Sequence, residues 1–449
     1  MSRFAWPGVV RVSPQHCQPS STSRGSSRSH HLLRFRNRNQ PSIPSRYRYC
    51  ASSVLPNITR LRETRGVTLP LDGLIVADFS RVLAGPYATT MLADLGARVI
   101  KVERPGSGDD TRSWGPPWTD NTASYFESAN RNKESVGLDL GNADDLVLAR
   151  ELAHRADVFV ENFRPGALGK FGLDYESVQR ANPGIVYCSI SGFGSGGGAH
   201  LPGYDFLVQA VGGLMSITGD PDAAGGTPMK SGVALVDVLT GKDATIGTLA
   251  ALHARHTTGR GQHVEVNLLS SLLASLVNQA SGYLATGNAP GRLGNAHPSI
   301  APYELLPAGD GPLAIACGND GQFRKLASVL GNESLADDPR FATNAARVQH
   351  RPALAEALGA LLAAEPAERW VEQLLAAGVP AGSVGSIADG FALAERLGLE
   401  PLIDVGEGRP AQVRHPISYS DTPVTTYVAP PRLAEHDQRI RDWLQQEES

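Results

Sequence analysis

Asp237 is a lone carboxylate within an apolar stretch, Ser231-Gly-Val-Ala-Leu-Val-Asp-Val-Leu-Thr-Gly241. A buried carboxylate costs several kcal/mol unless it is paired or chemically used. The residues therefore allow two interpretations, a reactive carboxylate and a structural aspartate that caps a helix, and the pattern alone favours the structural one. The same holds for Asp205 in Gly203-Tyr-Asp-Phe206.

Several common cofactor and catalytic motifs do not occur in the sequence. It contains no G-x-x-x-x-G-K-[ST], no H-E-x-x-H and no G-x-S-x-G. The first apolar run is followed by Ser80-Arg-Val-Leu-Ala-Gly85 rather than by the G-x-G-x-x-G of a dinucleotide site. His253 and His256 share a predicted helix face without a third ligand nearby. We therefore expect neither a metal nor a nucleotide cofactor.

The segments that must position these residues are of two alternating kinds. Short apolar runs predict strands, and segments whose apolar residues recur at helical spacing predict helices. The predicted strands are 73–79, 97–103, 157–161, 184–190, 263–267 and 311–317. The predicted helices are 84–95, 143–156, 175–180, 204–217, 233–254, 322–330, 353–362 and 366–377, with a polar helix near the end of the chain. Strand, helix and strand within about 30 residues form a βαβ unit, and such units build a parallel sheet covered by helices. The fold class is therefore α/β.

Composition changes along the chain predict its domain organisation. Gly, Asn, Pro and His cluster around 283–298, which marks a boundary or an active-site loop. We predict a large Rossmann-like parallel-sheet domain and a smaller α+β domain. The predicted limits are 1–53 for a transit-like segment, 69–285 for the large domain, 300–400 for the small domain and 410–449 for a C-terminal return to the large domain.

Charge is distributed unevenly along the chain. Of the 41 Lys and Arg residues, 11 arginines precede Glu63, and no acidic residue does. The remaining chain carries 30 basic and 45 acidic residues, a net charge of −15, which argues against a nucleic-acid surface. No run of 18 uninterrupted apolar residues occurs, so we expect no membrane span.

The first 53 residues are rich in Arg and Ser, poor in acidic residues and without the apolar core of a secretory signal. This composition predicts an organellar transit peptide, and the alternative is a disordered basic arm. Beyond the tail only Cys188 and Cys317 remain, too few for a disulfide framework, which is typical of a reducing compartment.

Seven segments, in order and spread over 69–444, carry a resemblance to a known family. They are Leu71-Asp-Gly-Leu-Ile-Val-Ala-Asp-Phe, Arg81-Val-Leu-Ala-Gly-Pro, Val99-Ile-Lys-Val-Glu-Arg-Pro-Gly-Ser-Gly-Asp109, Asn130-Arg-Asn-Lys-Glu-Ser, Asp157-Val-Phe-Val-Glu-Asn-Phe-Arg-Pro-Gly166, Gly203-Tyr-Asp and Thr258-Gly-Arg-Gly-Gln262. Together they resemble the family III CoA-transferases, which include formyl-CoA transferase, carnitine CoA-transferase and α-methylacyl-CoA racemase. The resemblance implies an interlaced homodimer that acts on acyl-CoA and carboxylic acids, with coenzyme A as co-substrate.

The resemblance assigns the catalytic role to Asp237 and so favours the reactive interpretation. A carboxylate at this position attacks the acyl-CoA thioester, forms a mixed anhydride and then an aspartyl-CoA thioester, and passes CoA to the acceptor acid. The CoA-binding positions that the resemblance implies are Leu83, Ala84, Arg104, Leu138, Asp139, Leu140, Asn162, Phe163, Arg164, Lys170 and Tyr204. For Arg104 and Lys170 the alternative is a solvated surface charge, and some members have Gln where this chain has Leu83.

Tyr204 separates transfer from racemisation within the family. The racemase branch resembles Gly-His-Asp here, and its His exchanges a proton, whereas a Tyr with an ordinary pKa of about 10 is a poor proton shuttle at neutral pH. Transfer is therefore favoured. An α-methylacyl-CoA racemase-like epimerase and a catalytically idle acyl-CoA-binding protein remain the alternatives, and a packing aromatic is the other interpretation of Tyr204.

Three segments, Arg81-Val-Leu-Ala-Gly-Pro, Asp109-Asp-Thr-Arg-Ser-Trp-Gly-Pro-Pro117 and Gly294-Asn-Ala-His-Pro-Ser-Ile-Ala-Pro-Tyr303, resemble the succinyl-CoA:glutarate branch of the family. That branch implies succinyl-CoA as donor, glutarate or a related dicarboxylate as acceptor, and the mitochondrial matrix, with peroxisome or plastid as alternatives. The distal carboxylate of such an acid needs cations or oriented donors. The candidates are Arg81, Arg112, Arg292, Gly294, Asn295, His297 and Ser299, and ordinary turn formation is the other interpretation of these loop residues.

Overall fold

The computed structural model describes residues 68–119 and 122–446 of the 449-residue chain. All of them belong to one compact unit, Gly66–Ser449. The predicted transit-like segment 1–53 lies outside the described residues. The limits predicted for the large, small and C-terminal parts stay predictions.

A parallel sheet of six strands forms the centre of the described chain, in the order β3-β2-β1-β4-β5-β6. Its strands are β1 Ile75–Asp78, β2 Arg98–Glu103, β3 Lys133–Gly137, β4 Val158–Glu161, β5 Val186–Ser191 and β6 His263–Asn267. The predicted α/β class and its parallel sheet are confirmed. The strand order reverses direction at β1, so β1 and its neighbours β2 and β4 form the crevice where α/β proteins bind ligands.

Helices cover this sheet on both faces, and three of them, at 124–127, 268–275 and 277–286, were not predicted. The helices are α1 Ala84–Asp94, α2 Ser124–Glu127, α3 Ala143–Arg155, α4 Tyr175–Ala181, α5 Asp205–Val211, α6 Leu214–Ile217, α7 Leu235–Thr258, α8 Leu268–Ser275 and α9 Val277–Thr286. Apolar side chains of α1 and α7 pack on one face of the sheet, and those of α3 pack on the other.

A three-stranded antiparallel sheet, in the order β7-β8-β9, organises the next part of the chain. Its strands are β7 Tyr303–Pro307, β8 Pro312–Ala316 and β9 Ala381–Ser383, and its helices are α10 Asp320–Val329, α11 Asn344–Gln349, α12 Arg351–Leu362, α13 Ala367–Ala376 and α14 Ile387–Arg396. Two short strands follow, β10 Leu402–Ile403 and β11 Gln412–Val413.

The last described helix, α15 Asp437–Gln445, returns to the parallel sheet. Arg441 forms a 2.7 Å ion pair with Asp145 at the start of α3 and donates to the carbonyl of Gly137 at the end of β3. Ile440 and Leu444 are buried among the side chains of that face. Among the described helices none is both long and apolar enough to cross a membrane.

Two local predictions differ from the structure. The single helix predicted over 204–217 is wrong, since the chain forms α5 and α6 with a break at Gly213, whose φ of 92° lies in the left-handed region. The strand β3 was not predicted because Lys133-Glu-Ser-Val-Gly137 is largely polar in sequence. All five of its residues are nevertheless buried, because charged partners from the sheet and from α15 satisfy them.

Candidate active site

The turn between β1 and α1 lies at the crevice of the parallel sheet and holds a strained residue. Val82 has a φ of 69°, which a β-branched side chain rarely adopts. Its backbone N–H donates to both carboxylate oxygens of Asp109, at 3.3 and 3.2 Å. Asn162, which follows β4, accepts from the N–H of Arg81 at 2.9 Å and donates to its carbonyl at 2.7 Å. The turn is thus fixed from two sides.

Two fully buried lysines, on strands β2 and β3, stabilise the residues around this turn. Lys101 of β2 forms a 2.9 Å ion pair with Asp109 and donates to the carbonyl of Ser80 at 2.9 Å. Lys133 of β3 lies 3.1 Å from Asp78, at the end of β1. Burial alone would raise the pKa of Asp109, but the Lys101 ammonium and hydrogen bonds from Thr111 lower it to about 2. Asp109 is therefore a structural carboxylate.

Several predicted CoA-binding residues meet at this edge of the sheet. Asp110 accepts hydrogen bonds from Arg81, at 3.1 Å, and from Arg104. The Arg81 guanidinium also lies 5.5 Å from the centre of the Phe163 ring. The structure thus brings Arg81, Arg104, Asn162 and Phe163 together, with two cations and one carboxylate in the cluster.

The other predicted CoA positions surround this cluster on neighbouring loops. Arg164 and Lys170 are exposed, and the Lys170 ammonium lies 4.7 Å from the centre of the Phe171 ring. After β3, Leu138 is buried, Leu140 is half-buried, and the Asp139 carboxylate accepts from the N–H of Gly141 at 2.9 Å. Asp139 is therefore engaged in its own turn.

Asp237 occupies the first turn of α7 and is half-buried. Burial, together with the nearby carboxylate of Asp205, raises its pKa to about 7. A carboxyl group with such a pKa changes its charge near neutral pH, which is typical of residues that act chemically. The helix-capping interpretation that the sequence pattern favoured does not account for this shift.

Because Gly241 has no side chain, the start of α1 can approach α7, the helix that carries Asp237. Gly241 follows Asp237 by four residues and so shares its helix face. A β-carbon at Gly241 would lie 2.7 Å from the carbonyl oxygen of Ala84 and 3.0 Å from the Tyr87 ring. The start of α1 at Ala84, which is buried like Leu83, therefore approaches α7 one helical turn after Asp237.

The hydroxyl of Tyr125, on α2, is affected by the charge of Asp237, and the sequence did not identify Tyr125 as a site residue. Burial and the carboxylates of Asp237, Asp205 and Asp109 raise the pKa of its hydroxyl to about 12. Its ring contacts Trp114 edge to face, with ring centres 5.6 Å apart. No sequence motif marks Tyr125, since α2 has only four residues.

Tyr204 precedes α5 directly and is 62% exposed. It neighbours Asp205, whose carboxylate accepts from the backbone N–H groups of Val236 and Asp237. Tyr204 thus directly precedes the residue whose carboxylate contacts the start of α7. Its predicted role at CoA stays a prediction.

Arg112 has a different environment from the other substrate candidates. It forms two hydrogen bonds to the buried Glu103 carboxylate, at 2.8 and 2.6 Å, and its guanidinium lies 3.7 Å from the centre of the Phe126 ring. The side chain is only 11% exposed. Its charge is therefore already neutralised by a partner within the protein.

The remaining substrate candidates form a second cluster before β7. Arg292 pairs with Asp222, and the backbone N–H of Gly294 donates to the carbonyl of Gly219. The Ser299 N–H donates to the His297 ring, which packs against Tyr303, and Asn295 is exposed. These described contacts join the cluster to the loop at 219–226 and to the small sheet. They do not include Asp237.

The described part of the chain contains no group of three or more His, Cys, Asp or Glu side chains arranged to hold a metal ion. The site consists instead of a carboxylate with a raised pKa, a fixed βα turn and a cationic rim. A parallel-sheet crevice with such a carboxylate is typical of the ligand sites of α/β enzymes.

The chain belongs to CoA-transferase family III, whose family model matches residues 71–437. It is 44% identical over 385 residues to the succinate–glutarate CoA-transferase of Agrobacterium fabrum, covering 83% of this chain and 94% of that protein. It is 43% identical over 339 residues to the acetyl-CoA:oxalate CoA-transferase of Acetobacter aceti, covering 75% of this chain and 86% of that protein.

A solved structure supports the same assignment. The crystal structure of a CAIB/BAIF family protein from Brucella suis matches with a TM-score of 0.76 and 45% sequence identity. The match covers 84% of this chain and 100% of that chain. The predicted family resemblance is therefore confirmed, and the chain is a CoA-transferase by its relatives.

Gly241→Ala tests the contact between the β1–α1 turn and α7. We expect a loss of about 1–3 kcal/mol in the free energy of unfolding, because the new methyl group must displace the Ala84 carbonyl. The CoA-transfer rate should fall as well, since the turn moves away from Asp237. Urea unfolding and steady-state kinetics measure the two effects.

Gly390→Ala is the matched control, because Gly390 lies in α14 with no atom within 4 Å of the added β-carbon. This variant should gain up to about 1 kcal/mol from helix propensity. Equal stability changes in the two variants would show that the close approach at Gly241 does not constrain the turn.

Proposed function

We propose that this protein transfers CoA from succinyl-CoA to glutarate or a related dicarboxylate, with Asp237 as the nucleophile. The observation that carries the proposal is the placement of Asp237, half-buried in the first turn of α7 and one helical turn before the point at which Ala84 approaches that helix. The substrates are supported by the names of the two relatives, which act on glutarate and oxalate, both dicarboxylates.

The first half-reaction loads CoA onto the enzyme. The Asp237 carboxylate attacks the thioester carbonyl of succinyl-CoA, and the carbon–sulfur bond breaks to give a succinyl–aspartyl anhydride and CoA thiolate. The thiolate then attacks the aspartyl carbonyl, and succinate leaves as a carboxylate. The enzyme is left as an aspartyl-CoA thioester.

The second half-reaction reverses this sequence with the acceptor. A carboxylate of glutarate attacks the aspartyl-CoA thioester, giving a glutaryl–aspartyl anhydride and CoA thiolate. Attack of the thiolate on the glutaryl carbonyl releases glutaryl-CoA and restores the Asp237 carboxylate. Each step exchanges one acyl bond for another, so the energy of the thioester is conserved.

Local structure supports these steps in two ways. The N-terminal end of α1, at Ala84, carries the positive end of the helix dipole and lies on the Asp237 side of α7, where negative charge develops on the attacked carbonyl. The fixed β1–α1 turn keeps this end in place without reorganisation during the reaction.

The cationic rim at the sheet edge is suited to the phosphates of CoA. Arg81 and Arg104 share a single carboxylate, that of Asp110, so one positive charge remains in excess. Arg164 and Lys170 add exposed cations nearby in sequence. Guanidinium groups bind phosphate and carboxylate through paired hydrogen bonds, so this rim also suits the distal carboxylate of a dicarboxylic acid.

The active form that we propose is a homodimer in the mitochondrial matrix. Large apolar side chains on α7 and α9 are exposed in the single chain, among them Ile246 at 65%, Val277 at 69% and Leu284 at 80%. Exposed apolar groups of this extent are typical of a covered interface. The Arg- and Ser-rich segment 1–53 supports the matrix, with peroxisome and plastid as the alternatives.

Replacing Asp237 by Asn tests the nucleophile. We expect the CoA-transfer rate from succinyl-CoA to glutarate to fall at least about 10³-fold, because the amide keeps the volume but cannot attack the thioester. Mass spectrometry of the wild-type enzyme with succinyl-CoA and hydroxylamine should find a hydroxamate at Asp237.

Glu356→Gln is the control, since Glu356 is exposed on α12, outside the surfaces of α7 and α9, and it should keep the wild-type rate. Acids tested in parallel are glutarate and oxalate. An active Asp237→Asn enzyme without a hydroxamate would contradict the mechanism. Solvent deuterium at the α-carbon, with no acyl-CoA transfer, would point instead to the racemase alternative.

The pH dependence follows from the pKa of Asp237. Only the carboxylate attacks, and its pKa is raised to about 7, so kcat/KM should rise about tenfold per pH unit below 7 and level off above it. Free dicarboxylates ionise near pH 4 and do not contribute to this limb. Initial rates from about pH 5.5 to 8.5 measure it. A limb centred near pH 4 would contradict the assignment.

The oligomeric state gives a further prediction. Light scattering after size exclusion should give twice the mass of the chain, because the apolar surfaces of α7 and α9 are then covered. Leu284→Glu should weaken the dimer, while Val147→Glu, exposed to 62% on α3, should leave it intact. A monomeric active wild-type enzyme would contradict the proposal.

A further inference from the structure

The helix that carries Asp237 lacks a capping side chain of its own. α7 begins at Leu235, and its N-cap residue is Ala234, which has no side-chain acceptor. The first N–H groups of a helix have no partner within the helix and need one from elsewhere. The N-terminus of α7 therefore depends on a residue from another part of the chain.

Asp205, the first residue of α5, supplies this partner. Its Oδ1 accepts from the N–H of Val236 at 2.7 Å and from the N–H of Asp237 at 3.3 Å. These are the second and third residues of α7, the positions that an N-cap side chain normally satisfies. The capping interaction thus comes from a residue more than 30 positions earlier in the chain.

Gln209 holds Asp205 in this position. Its side-chain amide donates to Oδ2 of Asp205 at 2.6 Å, and its side-chain oxygen accepts from the N–H of Ser231 at 2.8 Å. Gln209 is fully buried, so its side chain has a defined environment. Both oxygens of Asp205 are engaged, and α5 is tied to the segment that leads into α7.

This arrangement places two carboxylates at one helix N-terminus. A helix dipole normally favours the ionised form of an acidic residue in its first turn. Here burial and the Asp205 carboxylate together raise the pKa of Asp237 instead. Tyr125 of α2 is a titratable group near these carboxylates, and burial together with the charges of Asp237, Asp205 and Asp109 raises its pKa to about 12. Tyr87 of α1 faces the next turn of α7, at Gly241.

We infer that Asp205 is a positioning residue for the nucleophile: its carboxylate closes the N-terminus of α7 in place of Ala234 and sets a negative charge directly beside Asp237. This inference rests on the proposed role of Asp237. The charge makes the Asp237 carboxylate more basic, and a more basic carboxylate is a stronger nucleophile toward the thioester.

Asp205→Asn removes the charge and retains one acceptor oxygen for the helix. We expect the acidic limb of kcat/KM to move about one pH unit below that of the wild type, since the like charge is gone. The rate on the high-pH plateau should fall as well, about tenfold, because the nucleophile is less basic. Glu356→Gln makes the same change in net charge on the surface of α12 and should leave both unchanged.

A double variant separates the position of the charge from the hydrogen bonds, because residue 209 then carries the carboxylate instead of residue 205. In Asp205→Asn the new amide faces the amide of Gln209, whereas Asp205→Asn with Gln209→Glu restores a donor–acceptor pair and still accepts from Ser231. We expect this variant to recover the thermal stability of the wild type while its acidic limb stays below the wild-type limb.

Two results would overturn the inference. The first is an Asp205→Asn enzyme whose rate falls by the same factor at every pH, since a cap without an electrostatic role would do this. The second is a double variant whose acidic limb returns to that of the wild type. Activity in Asp237→Asn would overturn the proposed function instead, so the two failures are distinguishable.

Discussion

The buried ion pair between Lys101 and Asp109 is the interaction on which the site depends. Neither side chain is exposed, and Asp109 uses the same carboxylate to hold the backbone of Val82 in a strained conformation. Removal of one partner of such a pair leaves an uncompensated charge in the interior, at a cost of about 3–5 kcal/mol. Loss of one partner would therefore cost more than the backbone strain of the turn, which amounts to about 1–3 kcal/mol.

Two carboxyl groups at this crevice have pKa values that are shifted in opposite directions. Lys101 lowers the pKa of Asp109, and burial beside Asp205 raises that of Asp237. The difference arises from neighbours, since Asp109 has a cation in contact and Asp237 has another carboxylate. Asp109 follows β2 and stays charged, whereas Asp237 lies on α7 and changes its charge near neutral pH. The Asp109 carboxylate stabilises the β1–α1 turn, and the Asp237 carboxyl group has no such structural partner among the contacts described above.

Relatives named for glutarate and for oxalate, dicarboxylates of different length, both share more than 40% identity with this chain. The second cluster, at 292–299, is held by the loop at 219–226 and by the small sheet. The predicted substrate contacts in this cluster therefore depend on elements outside the parallel sheet.

The sequence by itself determined the fold class, most strands and helices, and the family, and it singled out Asp237 as the candidate nucleophile, because periodicity and ordered motifs are local properties of the chain. It did not reveal the buried strand β3, the break at Gly213, or Tyr125, each of which depends on partners distant in sequence. The pattern around Asp205 suggested a structural carboxylate, and it could not show which helix that carboxylate caps. Only the tertiary structure decided the electrostatics, because a pKa depends on burial and on charges that folding brings into contact.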